Sequence, residues 1–192
     1  TATFLALKAW NIARQSVTIF PAGDSAARIA ALSTKAIDAT MLSYPDINEA
    51  LRIGMHELVK MPDLKGTSFP MNVMVARRSF LEKNRTAIKR FQQAYAEGTY
   101  QFMTSREKGL AVLAKRLRFK DPKGLEETYD YFAKSFAMPT RISQDGLRNT
   151  LEIVGQRNAA VKVDMNMAKY LDESILDELD REGFFKRLLG KS

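Results

Sequence analysis

One stretch, residues 17–45, constrains the fold of this chain more than any other part of the sequence. It begins with a β-branched and aromatic run, Val17–Phe20, which is typical of a strand. A glycine-containing turn follows, and the alanine-rich segment 26–32 then carries apolar residues at helical spacing. A second apolar run, 36–42, leads to a stop at Pro45. Because a crossover helix joins parallel neighbours, this order predicts a strand–helix–strand unit with parallel strands.

The ends of these two predicted strands are the natural place to look for a binding site. Ligands of open parallel sheets bind beyond the carboxyl ends of the strands. In this chain those ends are residues 21–25 and residues 43–46. Loops of this kind present backbone N–H groups and short hydroxyls, which suit a small polar or anionic solute.

The rest of the chain divides into an α/β part and a helical part. We expect an amphipathic helix over 2–14, a short helix over 46–52, and further short strands at 57–59 and 72–77. Beyond residue 79 the strand signal almost disappears. Helices are predicted there to begin near capping residues, namely Asn84, Ser105, Asp121, Ser143 and Asp172.

Composition excludes several kinds of chemistry. The chain has no cysteine and a single histidine, His56, so disulfides, thiolate catalysis and cysteine-based metal sites are excluded. The motifs show no catalytic set, no metal cluster and no cofactor loop, and we therefore predict no catalytic residues, no metal and no cofactor. The net charge is +8, but acids interrupt the scattered Lys and Arg residues. This pattern favours a solvated surface over nucleic-acid binding.

Three stretches resemble one known family. The sequence GDSAARIAAL at 23–32, followed by KAIDA at 35–39, resembles a "G-x-x-x-x-x-x-x-A-L-x-x-G-x-V-D-A" signature, although Lys35 or Ala36 replaces its second glycine. VARRSFLEKN at 75–84 resembles the family's strand-to-helix passage, and 171–184 resembles its C-terminal helix. The chain is similar to solute-binding proteins of ABC importers, in the sulfonate, taurine, nitrate and thiamine-precursor (NMT1/THI5-like) group.

The resemblance implies a fold, a partner and a location. It implies an α/β, type II periplasmic-binding fold in which residues 1–70 form the second lobe with short parallel strands. Residues 71–192 would supply a return strand and mainly C-terminal helices that rejoin lobe one, whose opening strands have no counterpart here. A solute would lie in an interlobe cleft and be delivered to a membrane permease, without catalysis. The implied location is periplasmic or extracytoplasmic.

The same resemblance, combined with the strand-end argument, gives a set of expected ligand contacts. Tyr44 and Phe69 are expected either to form an aromatic wall for the solute or to pack between lobes. Thr1 and Thr3 are expected either to bind an anion at a helix start or simply to cap the helix. The full predicted set is Thr1, Thr3, Gly23, Asp24, Ser25, Ser43, Tyr44, Thr67, Ser68 and Phe69.

Two other functions remain open on the sequence. One is an enzyme of the thiamine-precursor pyrimidine type, although the chain offers only His56 for histidine-dependent chemistry. The other is a helical ligand-sensing or interaction module. If the chain lacks lobe one, the apolar helix faces after Asn84 would be exposed, and we then expect a homodimer.

Overall fold

The computed structural model describes residues 1–117, 121–157, 160 and 162–190. These residues are 61% helical. Short 3₁₀ helices occupy Arg14–Ser16, Met61–Asp63 and Met167–Lys169. Within the described ranges, no helix is both long enough and apolar enough to cross a membrane. The α-helices are α1 (Ala2–Ala9), α2 (Ser25–Ser33), α3 (Asp46–Arg52), α4 (Arg78–Lys83), α5 (Arg85–Thr104), α6 (Arg106–Leu117), α7 (Pro122–Ser135), α8 (Gln144–Arg157), α9 (Ser174–Arg181) and α10 (Phe184–Leu189).

The predicted α/β, type II periplasmic-binding fold is wrong. The described residues contain no β-strand, and the segments expected to be strands, 17–20, 36–42, 57–59 and 72–77, are not helical either. A β-branched run favours extended backbone, but a strand also needs a neighbouring strand to take its N–H and C=O groups. Such a neighbour is not present in the described part of the chain.

Arginine side chains bond to two of the carbonyl groups that a sheet would have used. The Arg14 Nη1 atom donates to the Val17 carbonyl at 2.9 Å. The Arg28 Nη1 atom donates to the Met41 carbonyl at 2.7 Å. Both carbonyls are therefore bonded locally, to side chains of the same chain, instead of across a ladder.

The helix predictions were far more accurate than the strand predictions. Asn84 occupies the N-cap position of α5, as expected, but its side chain makes no capping hydrogen bond and its Nδ2 donates to the Phe80 carbonyl at 2.9 Å. Asp121 caps α7 by accepting from the Lys123 N–H at 3.1 Å. The Ser143 hydroxyl oxygen accepts from the Gly146 N–H at 3.1 Å at the start of α8. The helix expected over 2–14 is shorter: α1 ends at Ala9, and Asn11 adopts a left-handed conformation that does not continue it.

The structure separates into two compact units. The first unit contains Thr1–Met71 and Ile142–Met167, and the second contains Asn72–Arg141 and Ala168–Ser192. The first unit includes α1, α2, α3 and α8, with long non-helical segments between them. Its buried apolar side chains are few: Leu5, Ala6, Ala50, Leu151 and Ile153. The sequence-based assignment of 1–70 and 71–192 to the parts of a two-lobed protein stays a prediction.

The second unit has a continuous apolar core. Helix α9 packs against α5 and α10, and Leu179 on α9 is completely buried. The Gly183 N–H bonds to the Asp180 carbonyl in the left-handed turn that separates α9 from α10. The buried members of this core are Ala96, Ile175, Leu176, Leu179, Phe184, Phe185 and Leu188.

Candidate functional site

The first predicted loop is a tight turn that leads into α2. Gly23 has a φ of +79°, and a Cβ atom there would lie 3.1 Å from the Ala27 Cβ, so the turn needs glycine. The Asp24 Oδ1 atom accepts from the Ala27 N–H at 2.9 Å. Asp24 is therefore the helix cap that its residue type indicates. Any contact of these residues with a ligand stays a prediction.

Arg28 ties this turn to the second predicted loop. Its Nε donates to the Asp24 carbonyl at 3.1 Å, and its Nη2 lies 3.3 Å from the Ser25 hydroxyl oxygen. Its Nη1 donates to the Met41 carbonyl, two residues before Ser43. One guanidinium thus bonds to both ends of the region that the sequence predicted to bind a solute. Sequence reasoning missed Arg28, and its position four residues after Asp24 on the first turn of α2 was the available signal.

The second loop, at Ser43 and Tyr44, leads directly into α3. The Ser43 carbonyl accepts from the Ile47 N–H at 3.2 Å, and both Ser43 and Tyr44 are half-buried. The Tyr44–Pro45 peptide bond is cis. Helices α2 and α3 pack together, and Arg28 links the Asp24 carbonyl to the Met41 carbonyl, just before the second loop.

The third predicted group, residues 67–69, has a structural role in this unit. Thr67 is only 4% exposed, and its hydroxyl lies 2.9 Å from the Met61 carbonyl and 2.7 Å from the Leu64 carbonyl. Ser68 and Phe69 lie against α8, where a Cβ at Gly146 would come within 3.2 Å of both residues.

Asn149 on α8 holds this segment in place. Its Nδ2 atom donates to the Gly66 carbonyl at 3.0 Å and to the Ser68 carbonyl at 2.8 Å. Thr67 is therefore engaged in closing its own turn, while the Ser68 side chain is exposed. The ligand contacts predicted for Thr67, Ser68 and Phe69 stay predictions.

The two predicted threonines lie at the start of α1. Thr1 is the N-cap residue and is exposed, but its side chain makes no capping hydrogen bond. Thr3 lies in the first turn and is half-buried. Capping of α1 by the Thr1 side chain is therefore not seen, and any anion contact of Thr1 or Thr3 stays a prediction.

A pocket in the first unit was not predicted from the sequence. It has a volume of about 310 Å³ and lies among α1, the segment that follows it, and α8. Ten residues line it: Phe4, Leu5, Leu7, Lys8, Ile12, Arg14, Asn149, Glu152, Ile153 and Gln156. The predicted ligand residues are not among them. Its walls come from segments far apart in sequence, which is why pattern reading did not find it.

Apart from the Thr1 amino group, most groups whose pKa is shifted belong to ion pairs of the second unit. Hydrogen bonds from Lys89 and Arg85 lower the pKa of Glu178. Hydrogen bonds from Ser174 lower the pKa of Asp172. His56 is exposed, and among the described residues no group of three or more His, Asp or Glu side chains is placed to hold a metal ion.

A family comparison connects this geometry to known proteins. The family model described as NMT1/THI5 like matches residues 5–108. The chain belongs to the NMT1/THI5-like family. This finding confirms the resemblance inferred from the sequence. Searches of the curated proteins and of the solved structures find no match.

Family membership gives a general statement about function. The family consists mainly of binding proteins, which is consistent with a solute-binding, non-enzymatic role, although its THI5 members are enzyme-like. The matched residues include the turn at Gly23, the loop at Ser43 and the segment at Thr67. They exclude Thr1, Thr3 and all of α8.

Proposed function

We propose that this protein is the substrate-binding component of an ABC-type importer. In this role it binds a small polar or anionic organic solute, delivers the solute to a membrane permease, and catalyses no reaction. A periplasmic or extracytoplasmic location is part of the same proposal. The observation that supports it best is the NMT1/THI5-like match, which spans both loops bonded to Arg28.

The Arg28 contacts give this proposal a physical basis. A binding loop that is already ordered loses little conformational entropy when its ligand arrives. The turn at Gly23 is held by the Asp24 cap and by Arg28, and the same guanidinium bonds to the Met41 carbonyl, two residues before Ser43. The region therefore offers a preorganised set of hydroxyl and backbone groups in which a small solute can bind.

Thermal shift of the full chain is the first test. A panel of sulfonates, nitrate, pyrimidines and amino acids should contain at least one solute that raises the melting temperature. A ligand at a hundred times its Kd stabilises the folded state by about 2.7 kcal/mol, which such a scan detects easily. Failure of every solute in the panel would contradict the binding role.

A matched pair of arginine variants tests the location. Arg28→Gln should weaken binding of the identified solute by about tenfold, because the loops lose a charged hydrogen-bond donor worth roughly 1.5 kcal/mol. Arg52→Gln is the control, since Arg52 is exposed on α3 and pairs with Glu49 on the same helix. Equal loss in both variants would contradict the role given to Arg28.

Transport itself needs a separate measurement. Membrane vesicles that contain the cognate permease should accumulate radiolabelled solute only when the solute-loaded protein is added. If the protein binds solute but stimulates neither uptake nor ATP hydrolysis, the solute-binding role is supported and the importer role is contradicted.

Self-association is the remaining part of the proposal. Phe91 and Tyr95 stack on an outer face of α5 with ring centroids 6.5 Å apart, and they are 53% and 42% exposed. Exposed apolar surface of this kind promotes association. Light scattering should detect a dimer that Phe91→Lys weakens and that Glu97→Gln on the same helix leaves intact. A monomer that is stable over the whole concentration range would contradict this part.

A further inference from the structure

The pocket between α1 and α8 combines an apolar interior with charged side chains. Leu5 and Ile153 are buried beside it, and Phe4, Leu7 and Ile12 add further apolar surface. Its volume of about 310 Å³ is at the lower end of the range of ligand sites, so it suits a small molecule. Apart from Leu5 and Ile153, the buried apolar side chains in the described part of the first unit are Ala6, Ala50 and Leu151.

Arg14 is held in a defined position at this pocket. Its guanidinium lies over the Phe4 ring, 5.5 Å from the ring centroid, and its Nη1 donates to the Val17 carbonyl at 2.9 Å. A guanidinium carries five N–H donors, so this bond uses a small part of its capacity. A cation that is held by stacking and by one hydrogen bond loses little freedom when it binds an anion.

The other charges at the pocket are one further cation and one carboxylate. Lys8 and Glu152 face each other across α1 and α8 with an Nζ–Oε2 distance of 3.4 Å. Both side chains are partly exposed, at 67% and 36%, so this ion pair is weak. Arg14, Lys8 and Glu152 together leave the lining with one net positive charge, which matches a monoanion.

We propose that this pocket binds a small monocarboxylate with a compact apolar body. The carboxylate accepts hydrogen bonds from the Arg14 guanidinium, whose planar donors fit a carboxylate. The apolar body lies against Leu5, Leu7 and Ile153, where it is removed from water. The site goes beyond the importer proposal, because none of the predicted solute contacts lines it.

Isothermal titration of the full chain with benzoate tests this site, and benzamide is the matched neutral probe. Benzoate should bind, and benzamide should bind at least about tenfold more weakly because it lacks the charge that Arg14 recognises. Arg14→Gln should reduce benzoate affinity by about tenfold or more and leave benzamide affinity nearly unchanged.

Arg157→Gln is the matched control for Arg14→Gln. The Arg157 guanidinium also lies over the Phe4 ring, 5.4 Å from the centroid, but Arg157 does not line the pocket. It should therefore keep benzoate affinity within about twofold, since a small ligand mainly senses the cation that it contacts. Ile12→Glu gives a second check at a side chain that is 39% exposed, where a new carboxylate should repel benzoate without unfolding the chain.

The outcomes separate this site from the importer role. Undetectable benzoate binding at millimolar concentration, or equal loss in the Arg14 and Arg157 variants, overturns the pocket proposal. Repeating the solute panel on Arg14→Gln completes the test: an importer solute that still binds while benzoate does not supports two sites. Benzoate binding to a protein that binds nothing in the panel supports the pocket and overturns only the importer proposal.

Discussion

The two units of this protein are stabilised in different ways. In the described part of the second unit, α5, α9 and α10 supply a continuous apolar core that includes Leu179 and Phe185. The described residues of the first unit form four α-helices joined by long non-helical segments, and side-chain hydrogen bonds from Arg14, Arg28 and Asn149 hold those segments. Hydrophobic burial dominates one unit, and polar contacts to backbone carbonyls order much of the other.

Charge follows the same division. The first unit has ten basic and nine acidic residues, whereas the second has twenty and thirteen, so their net charges are +1 and +7. Part of the charge in the second unit forms a network in which Arg85 and Lys89 of α5 bind Glu178 of α9. The two units therefore differ in net charge as well as in how many apolar side chains they bury.

The largest expected effect compares a buried leucine in each unit. Leu179→Ala should cost about 4 kcal/mol in the free energy of unfolding, because Leu179 is fully buried in a close-packed core. Leu5→Ala should cost less, about 2–3 kcal/mol, because one side of Leu5 faces an existing pocket and so has fewer packing contacts to lose. Urea denaturation followed by circular dichroism measures both values. A larger loss for Leu5→Ala would contradict the proposed contrast in packing.

The next effect tests the polar contacts of the first unit. Asn149→Ala should cost about 1–3 kcal/mol, because it removes two hydrogen bonds, to the Gly66 and Ser68 carbonyls. Hydrogen exchange should accelerate in the segment around Thr67. Gln156→Ala, an exposed position on the same helix, is the control and should change stability by less than about 0.5 kcal/mol. Unchanged exchange around Thr67 in Asn149→Ala would show that other contacts, such as the Thr67 hydroxyl bonds to the Met61 and Leu64 carbonyls, hold the segment.

Acid should weaken the second unit through Glu178. Its pKa is lowered in the folded state by Lys89 and Arg85, so its contribution is complete above the ordinary glutamate pKa of 4.5 and is lost as the pH falls through the lower folded value. Hydrogen exchange of α9 amides measured between pH 6 and about pH 3 should therefore show falling protection. Glu178→Gln should flatten this dependence, and Glu97→Gln should not. An unchanged slope in Glu178→Gln would assign the acid sensitivity to other groups.

The smallest expected effect is a gain in stability. Lys35 follows α2 with a φ of +58°, a left-handed conformation in which a side chain costs about 1 kcal/mol relative to glycine. Lys35→Gly should therefore stabilise the first unit by about 0.5–1 kcal/mol. Lys65→Gly, at an exposed position with no left-handed backbone, is the control and should not stabilise it. Thermal denaturation of both variants measures the difference.

Lys35 also shows how closely the family pattern describes this chain. The signature has a second glycine, which Lys35 or Ala36 replaces in this sequence. In the structure Lys35 has a φ of +58°, a left-handed conformation that favours glycine. Family membership was therefore readable from the sequence even where one defining residue differs.

The sequence by itself determined where several helices begin, because helical hydrogen bonds and caps join residues a few positions apart, but it did not predict α10 or the end of α1 at Ala9. Asp24, Asp121 and Ser143 are caps in the structure for that reason. It did not determine whether the β-branched runs form strands, since a strand depends on a partner strand from elsewhere in the chain. The Arg28 contact with Met41 and the pocket at Arg14 also join distant segments, so only the tertiary structure decided them.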